Sequence, residues 1–373
     1  MVPSRVDDDF EVKEPKTVYD INIPYQSQSE DYERRTRDRT EFPEYLPHWE
    51  AGEFYPAFPE FEYHDPALRA DPHMPHLLTA GVTAQPVTPR MGTILTGVKL
   101  ETLCQDAKDE LALLICERKF VVLREQLDFL RSGPQFQKDF MSYFGKLSRQ
   151  PVSGAVKGHP EFHIIHRDGN EKDIAKFFKH KMTTTLWHHD VSYERQPPGY
   201  VMLGILACPD IGGDTVIADM ATAYQRLSPL FQGMIDQLSA VHTSRKMIGH
   251  ARASKLLVRS DPVDSVHPMV RVHPVTGERA IFYNQEFPDE VLGLKDMEAE
   301  AITKFLIDSV KNGHDFQARV HWEKHSVVMF DNRTTLHTGT VDYDTTAQAR
   351  HLFRLAAMTE VPLSVAESKT MRG

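Results

Sequence analysis

Two histidines and one carboxylate are the first residues in this chain whose types and spacing could do chemistry together. In the stretch Thr185-Leu186-Trp187-His188-His189-Asp190-Val191-Ser192-Tyr193, an extended backbone sends alternate side chains to the same face, so His188 and Asp190 point together and His189 points away. An imidazole beside a carboxylate, completed by a distant histidine, is the donor set of a non-haem Fe(II) site. It covers one side of the metal and leaves the other positions open for substrates and O2. Spacing alone does not choose this pair, because a histidine two residues before an acid recurs at His48/Glu50, His159/Glu161, His166/Asp168 and His321/Glu323.

The third donor should be a histidine far along the chain, on a strand facing the first pair. His337 is the candidate, following the apolar run that ends at Phe330 and the turn Asp331-Asn332-Arg333. A second kind of chemistry lies in Arg350-His351-Leu352-Phe353-Arg354. On a strand, Arg350, Leu352 and Arg354 share a face, with the arginines about 13 Å apart at roughly 3.3 Å per residue. The strand is otherwise apolar, so at least one guanidinium should face the interior, where it needs an anionic partner. A planar fork of donors matches a carboxylate or a sulfonate. Two such forks suggest two anions, a co-substrate and a substrate; ordinary ion pairs to Asp or Glu would satisfy the same pattern.

The elements that must position these groups are mostly short strands. Residues 1–90 are rich in charge, proline and aromatics, and read as an arm with extended, turn-rich segments and a loose first thirty or so residues. Residues 91–373 read as the folded domain. Strands are expected near 93–98, 120–123, 162–165, the His188 stretch, 200–205, 215–218, 318–322, 326–330 and 350–358, and helices near 106–115, 136–143, 221–238 and 297–311. The pattern is mainly β with flanking helices, a sandwich or jelly roll. A loop over 244–261 carrying Arg245, Lys246, Arg252, Lys255 and Arg259 could be a lid over an anionic site or a solvated surface loop.

Composition narrows the function. With 43 basic and 53 acidic residues and a net charge of −10, a general nucleic-acid or anionic-membrane surface is not expected. Cys104, Cys116 and Cys208 are too few and too scattered for a disulfide framework or a cysteine-rich zinc site. There is no signal-like N-terminus and no apolar run of spanning length, so the expectation is a soluble, cytoplasmic protein acting on a small molecule. The arm could serve a homo-oligomer.

An ordered series of motifs then carries a resemblance: Phe144-Gly145-Lys146-Leu147, Trp187-His188-His189-Asp190-Val191, Gly212-Gly213-Asp214-Thr215, Val266-His267-Pro268, His273-Pro274-Val275-Thr276-Gly277, Asp331-Asn332-Arg333, His337, and Arg350 through Arg354. From about Thr93 to Val361 the chain resembles the taurine dioxygenase family of Fe(II)/2-oxoglutarate-dependent oxygenases, particularly its fungal sulfonate dioxygenase-like branch. The resemblance implies a double-stranded β-helix, with His188, Asp190 and His337 as iron ligands. It implies that Thr215 and Arg350 hold the distal carboxylate of 2-oxoglutarate, that Arg354 grips an anionic group of the substrate, and that Trp187 packs beside the metal. The implied reaction consumes O2 and 2-oxoglutarate, releases succinate and CO2, and hydroxylates a substrate C–H bond.

The sequence also departs from the taurine-using pattern. Gln150 stands where those relatives carry a histidine, Ser153 replaces an aromatic, and the usual Asn-x-Gly-Phe reads Asn284-Gln285-Glu286-Phe287, bringing a glutamate to the expected pocket rim. Gln150, Ser153 and Asn284 therefore join Arg354 as expected substrate contacts, with His159 or His163 as compensating donors. The expected substrate is small and sulfonate-like rather than taurine itself. Three alternatives stay open: the same chemistry, as hydroxylation or desaturation, on another metabolite; a jelly-roll protein that binds without turnover; and a zinc hydrolase.

Overall fold

The structure, a computed structural model, describes residues 37–49, 52–167, 186–253, 256–343 and 348–372. The N-terminal stretch expected above to be loose, and Glu50, Asp168, Thr185 and Lys255 named above, lie outside them.

Seventeen strands build the described part: β1 Thr83–Pro86, β2 Thr93–Thr96, β3 Phe120–Leu123, β4 Lys146–Leu147, β5 His163–Arg167, β6 Pro198–Ala207, β7 Thr215–Asp219, β8 Ser239–Thr243, β9 Asp264–Pro268, β10 Val270–Val272, β11 Arg279–Ile281, β12 Pro288–Val291, β13 Gln317–Val320, β14 Val327–Asp331, β15 Thr335–Gly339, β16 Arg350–Met358 and β17 Leu363–Ser364. The large sheet runs β1-β2-β3-β14-β6-β16-β4, with β5 also paired to β16. Its central strands β3, β14, β6 and β16 are buried on both faces, as a sheet covered on both sides requires. Val122, Leu203, Val328, Phe330 and Leu352 face inward onto Ile217, Ala318 and Val320 of a second sheet, β13-β7-β15. The alternate residues Val121, Met202, Met329, Phe353 and Leu355 face outward. Two sheets closing on one core make the jelly roll that the strand pattern suggests and the double-stranded β-helix that the resemblance implies.

The outward face is covered by the helix Gln105–Arg118 through Leu111, Ala112 and Ile115, and by arm residues Phe42, Tyr45, Met74 and Leu77. Tyr45 stacks on Phe353 with ring centroids 5.4 Å apart, and Phe162 meets the same ring edge-on at 5.3 Å. Gly204, on β6, is what lets Phe353 lie flat against the sheet: a Cβ there would sit 2.4 Å from Phe353 Cζ. With two rings holding Phe353 in place, Gly204→Ala is expected to cost about 1–3 kcal/mol in chemical denaturation.

Three sequence expectations change. The helix expected over 221–238 is two, Met220–Gln225 and Pro229–Ile235. Pro229 has no N–H to continue the first, and Ser228 caps the second by accepting from the Phe231 amide. The 244–261 stretch opens with a helix, Arg245–Ala253. The His188 stretch is a single bridge to His337 followed by a turn, not a strand. Among the described residues no helix is long and apolar enough to cross a membrane.

Candidate active site

His337 sits on β15, whose neighbour β7 fixes its register opposite Ile217. The His188 and His337 main chains bond to each other in both directions at 3.1 Å, which brings the two rings to a centroid distance of 4.2 Å. Immediately after this bridge the chain turns, with Val191 at φ 53°. That conformation is unfavourable for a β-branched residue and persists only where its surroundings enforce it. Asn332 provides the enforcement. Its side chain accepts from the Asp190 amide at 2.7 Å and donates to the carbonyls of Asp190 at 3.0 Å and Pro198 at 2.9 Å. Asp190 therefore returns to the side of His188 through a clamped turn, where the sequence reading had relied on strand alternation.

The result is a cluster of three donors whose ligand atoms lie within 4.8 Å of one another. His188 Nε2 is 3.8 Å from Asp190 Oδ1, and His337 Nε2 is 3.9 Å from Asp190 Oδ2. His188 Nδ1 lies 3.0 Å from the Leu186 carbonyl. Only an N–H can bond there, so the lone pair is on Nε2, facing the carboxylate. Asp190 Oδ2 is buried and has no hydrogen-bond partner among the described residues. Burial opposes its charge, but the Arg354 guanidinium holds the carboxyl below the usual range. Burial lowers the pKa of both histidines, His337 to about 3, so they are neutral and can donate electron pairs. Two neutral imidazoles and an orphaned carboxylate oxygen fit a divalent first-row ion.

A second cluster, Cys116, His273 and Asp331, is equally compact. Arg333 sits inside it, bonded to Asp331 and to Cys116 Sγ, so a cation already occupies its centre. Of the rival histidine-acid pairs, Glu161 is paired with Lys138, and His321 points to Asp214.

The first cluster opens into a cavity of about 240 Å³ between the two sheets. One wall is a ladder in which β5 and β16 pair His163 with Arg354, Ile165 with Leu352, and Arg167 with Arg350. Arg354 forms an ion pair with Asp190. Gln150 and Ser153 line the same cavity, as does Thr215, whose hydroxyl accepts from Trp322 Nε1 at 3.2 Å. Arg350 Nε donates to the Gly213 carbonyl at 2.9 Å.

One expected contact falls elsewhere. The Asn284 side chain donates to Ser192 Oγ and accepts from the amides of Glu286 and Phe287, so it shapes the turn that presents Glu286 instead of reaching the cavity. Trp187 packs in a core cluster with Ala218 and Leu336, away from the cavity lining. Glu286 does line the cavity, 3.9 Å from His188 Nδ1, and burial pushes it up to about 8 against the pull of Arg354. The described basic residues of the 245–259 segment are not aimed inward. Arg245, Lys246 and Arg252 pair with Asp264, Asp289 and Asp261, while buried Arg259 ties Glu53 to the Ser153 carbonyl. Among the described residues of this segment, Met247 alone reaches the cavity.

The family model for the taurine catabolism dioxygenase TauD, TfdA family matches residues 83–356. The chain belongs to this family. It is 37% identical over 331 residues to the alpha-ketoglutarate-dependent sulfonate dioxygenase of Saccharomyces cerevisiae, covering 88% of this chain and 80% of that one. It is also 37% identical to the alpha-ketoglutarate-dependent dioxygenase cnsM of Penicillium expansum, covering 86% and 90%. The structure of a taurine dioxygenase from Burkholderia xenovorans superposes with a TM-score of 0.61 at 27% identity, covering 77% and 92%. As a member of this TauD, TfdA family the protein is an oxidoreductase, a dioxygenase that uses Fe(II), 2-oxoglutarate and O2 on a small molecule. Family membership selects this activity over the hydrolase and the non-catalytic binding protein.

Proposed function

We propose that this dioxygenase hydroxylates a C–H bond beside the anionic group of a small sulfonate-like substrate, with His188, Asp190 and His337 holding the iron. The observation that supports this most is that the donor cluster and three cationic side chains of one ladder share a single cavity. The bound iron supplies the oxygen chemistry that no side chain can. The chain's own residues bind and orient. Arg350 and Thr215 take the distal carboxylate of 2-oxoglutarate at one end. Arg354 takes the substrate anion at the other, and because it touches Asp190, an anion held there lies beside the metal. His163 stands opposite Arg354 with a buried Nδ1 that has no partner among the described residues, and it supplies the donor that Gln150 replaces. Ile165, Leu352, Val191 and Phe287 give the cavity apolar walls that exclude water from the reacting carbon.

The similarity to the yeast sulfonate dioxygenase supports a sulfonate. Glu286 favours a second reading, in which the substrate also carries a hydrogen-bonding group, such as a hydroxyl or amine on another metabolite, that meets this buried carboxyl. Succinate release across alkyl sulfonates, hydroxylated or aminated sulfonates, sulfate esters and carboxylates separates the two. Arg354→Met is expected to raise the substrate KM about 10- to 100-fold, since a charge-assisted bond contributes roughly 1.5–3 kcal/mol. An unchanged KM with the best substrate would remove Arg354 from the substrate site.

A further inference from the structure

The ladder carries one more cation than the proposed site uses. Arg167 and Arg350 are directly opposed on β5 and β16, and both line the cavity. Residues opposed in this way sit roughly 5 Å apart at Cβ, and like charges there repel. Among the other opposed pairs of the ladder, Ile165 with Leu352 and Ile164 with Phe353 are apolar, and His163 with Arg354 carries one permanent charge. Arg167 Nη1 reaches the Tyr343 hydroxyl at 3.3 Å, Arg350 Nε reaches a carbonyl, and among the described residues neither guanidinium is paired with a carboxylate. Arg167 Nε is buried without a partner among the described residues. Burial, and the charge of Arg167, draw the Arg350 pKa down, as expected of two cations sharing a partly dry space. A fixed anion between them would turn this repulsion into two charge-assisted contacts.

We propose that Arg167 and Arg350 form a two-arginine clamp on one carboxylate, making Arg167 a further binding residue for the distal carboxylate of 2-oxoglutarate and a selector of dicarboxylate over monocarboxylate oxo acids. This rests on the cavity being the 2-oxoglutarate site. Sequence gave a signal, since His163, Ile165 and Arg167 share a face at strand spacing, but the resemblance supplied no role for position 167.

The test is calorimetric titration of the Mn(II)-loaded full chain, without oxygen turnover, using 2-oxoglutarate and 2-oxobutanoate. The second has the same chelating head and no distal carboxylate. Arg167→Met is expected to weaken 2-oxoglutarate 10- to 50-fold and to leave 2-oxobutanoate within twofold. Arg167→Lys keeps the charge but loses the fork, and is expected to fall between wild type and R167M for 2-oxoglutarate only. It also serves if R167M does not fold. Equal weakening of both acids, or none of either, overturns the clamp. Failure of the wild type to bind either acid instead overturns the assignment of the cavity.

Discussion

Alanine at position 337 is expected to abolish stable Fe(II) retention and to lower succinate formation by more than about 100-fold, because even partners that only orient a metal ligand are worth 10- to 100-fold. Without the imidazole, His188 and Asp190 remain as two donors, with Asp190 still paired to the Arg354 guanidinium. The fold should survive, since the bridge to His188 and the pairing of β15 with β7 are main-chain bonds. The matched control is His189→Ala. His189 lies between the two other ligands in sequence, yet its ring packs 4.5 Å from Phe282 on the far side of the turn. It should lose stability through the cavity left behind while keeping the metal. Metal content after dialysis, read beside succinate formation, decides the matter. Full iron occupancy in H337A, or loss of iron only in H189A, would mean that the donor cluster is not the iron site.

The contrast between these two histidines shows what sequence could and could not deliver. Residue types made His188, Asp190 and His337 candidates, because a metal site tolerates few alternatives to imidazole and carboxylate, and the ordered motifs of the resemblance chose them over the rival pairs. The strands of the two facing sheets were legible from apolar runs, since residues such as Val121 and Val122 are buried on both faces of one sheet. The backbone around the site was not legible. The His188 stretch turns instead of extending because Asn332, more than 140 residues away, captures both main-chain groups of Asp190. Local propensity contains no trace of such a bond. The same holds for Asn284, whose amide is consumed by its own turn, and for the short strands β8, β9 and β12, which pair across intervening segments of chain. The basic segment misled for a simpler reason: charges near one another in sequence can each find an acidic neighbour in space.

Asn332 depends in turn on its neighbours, and this sets the second large effect. Arg333 is fully buried and donates to Asp331 Oδ1 at 2.9 Å, to Asp65 Oδ2 at 2.5 Å and to Cys116 Sγ at 3.2 Å, with its guanidinium 4.7 Å from the centre of the Tyr200 ring. Replacing it by methionine leaves two buried carboxylates short of their cation, which typically costs about 3–5 kcal/mol. In the wild type, burial disfavours the Asp331 charge, but Arg333 and His273 overcome it and hold the carboxyl far below the usual range. A depressed carboxylate adds stability above its unfolded pKa of about 3.9, and that stability is lost only as pH falls through the lower folded value. Without Arg333 the balance shifts toward burial, which raises the folded pKa and makes protonation favour the fold. The deficit of R333M in urea unfolding is therefore expected to be largest at pH 7 and to narrow toward pH 4. A deficit that does not change with pH would assign the loss to packing around Tyr200 instead of charge. Because Asp65 belongs to the arm and Asn332 holds Asp190, the same substitution should loosen both. A weaker hold on Asp190 is expected to reduce metal affinity about 10- to 100-fold, even though Arg333 has no contact with the cavity.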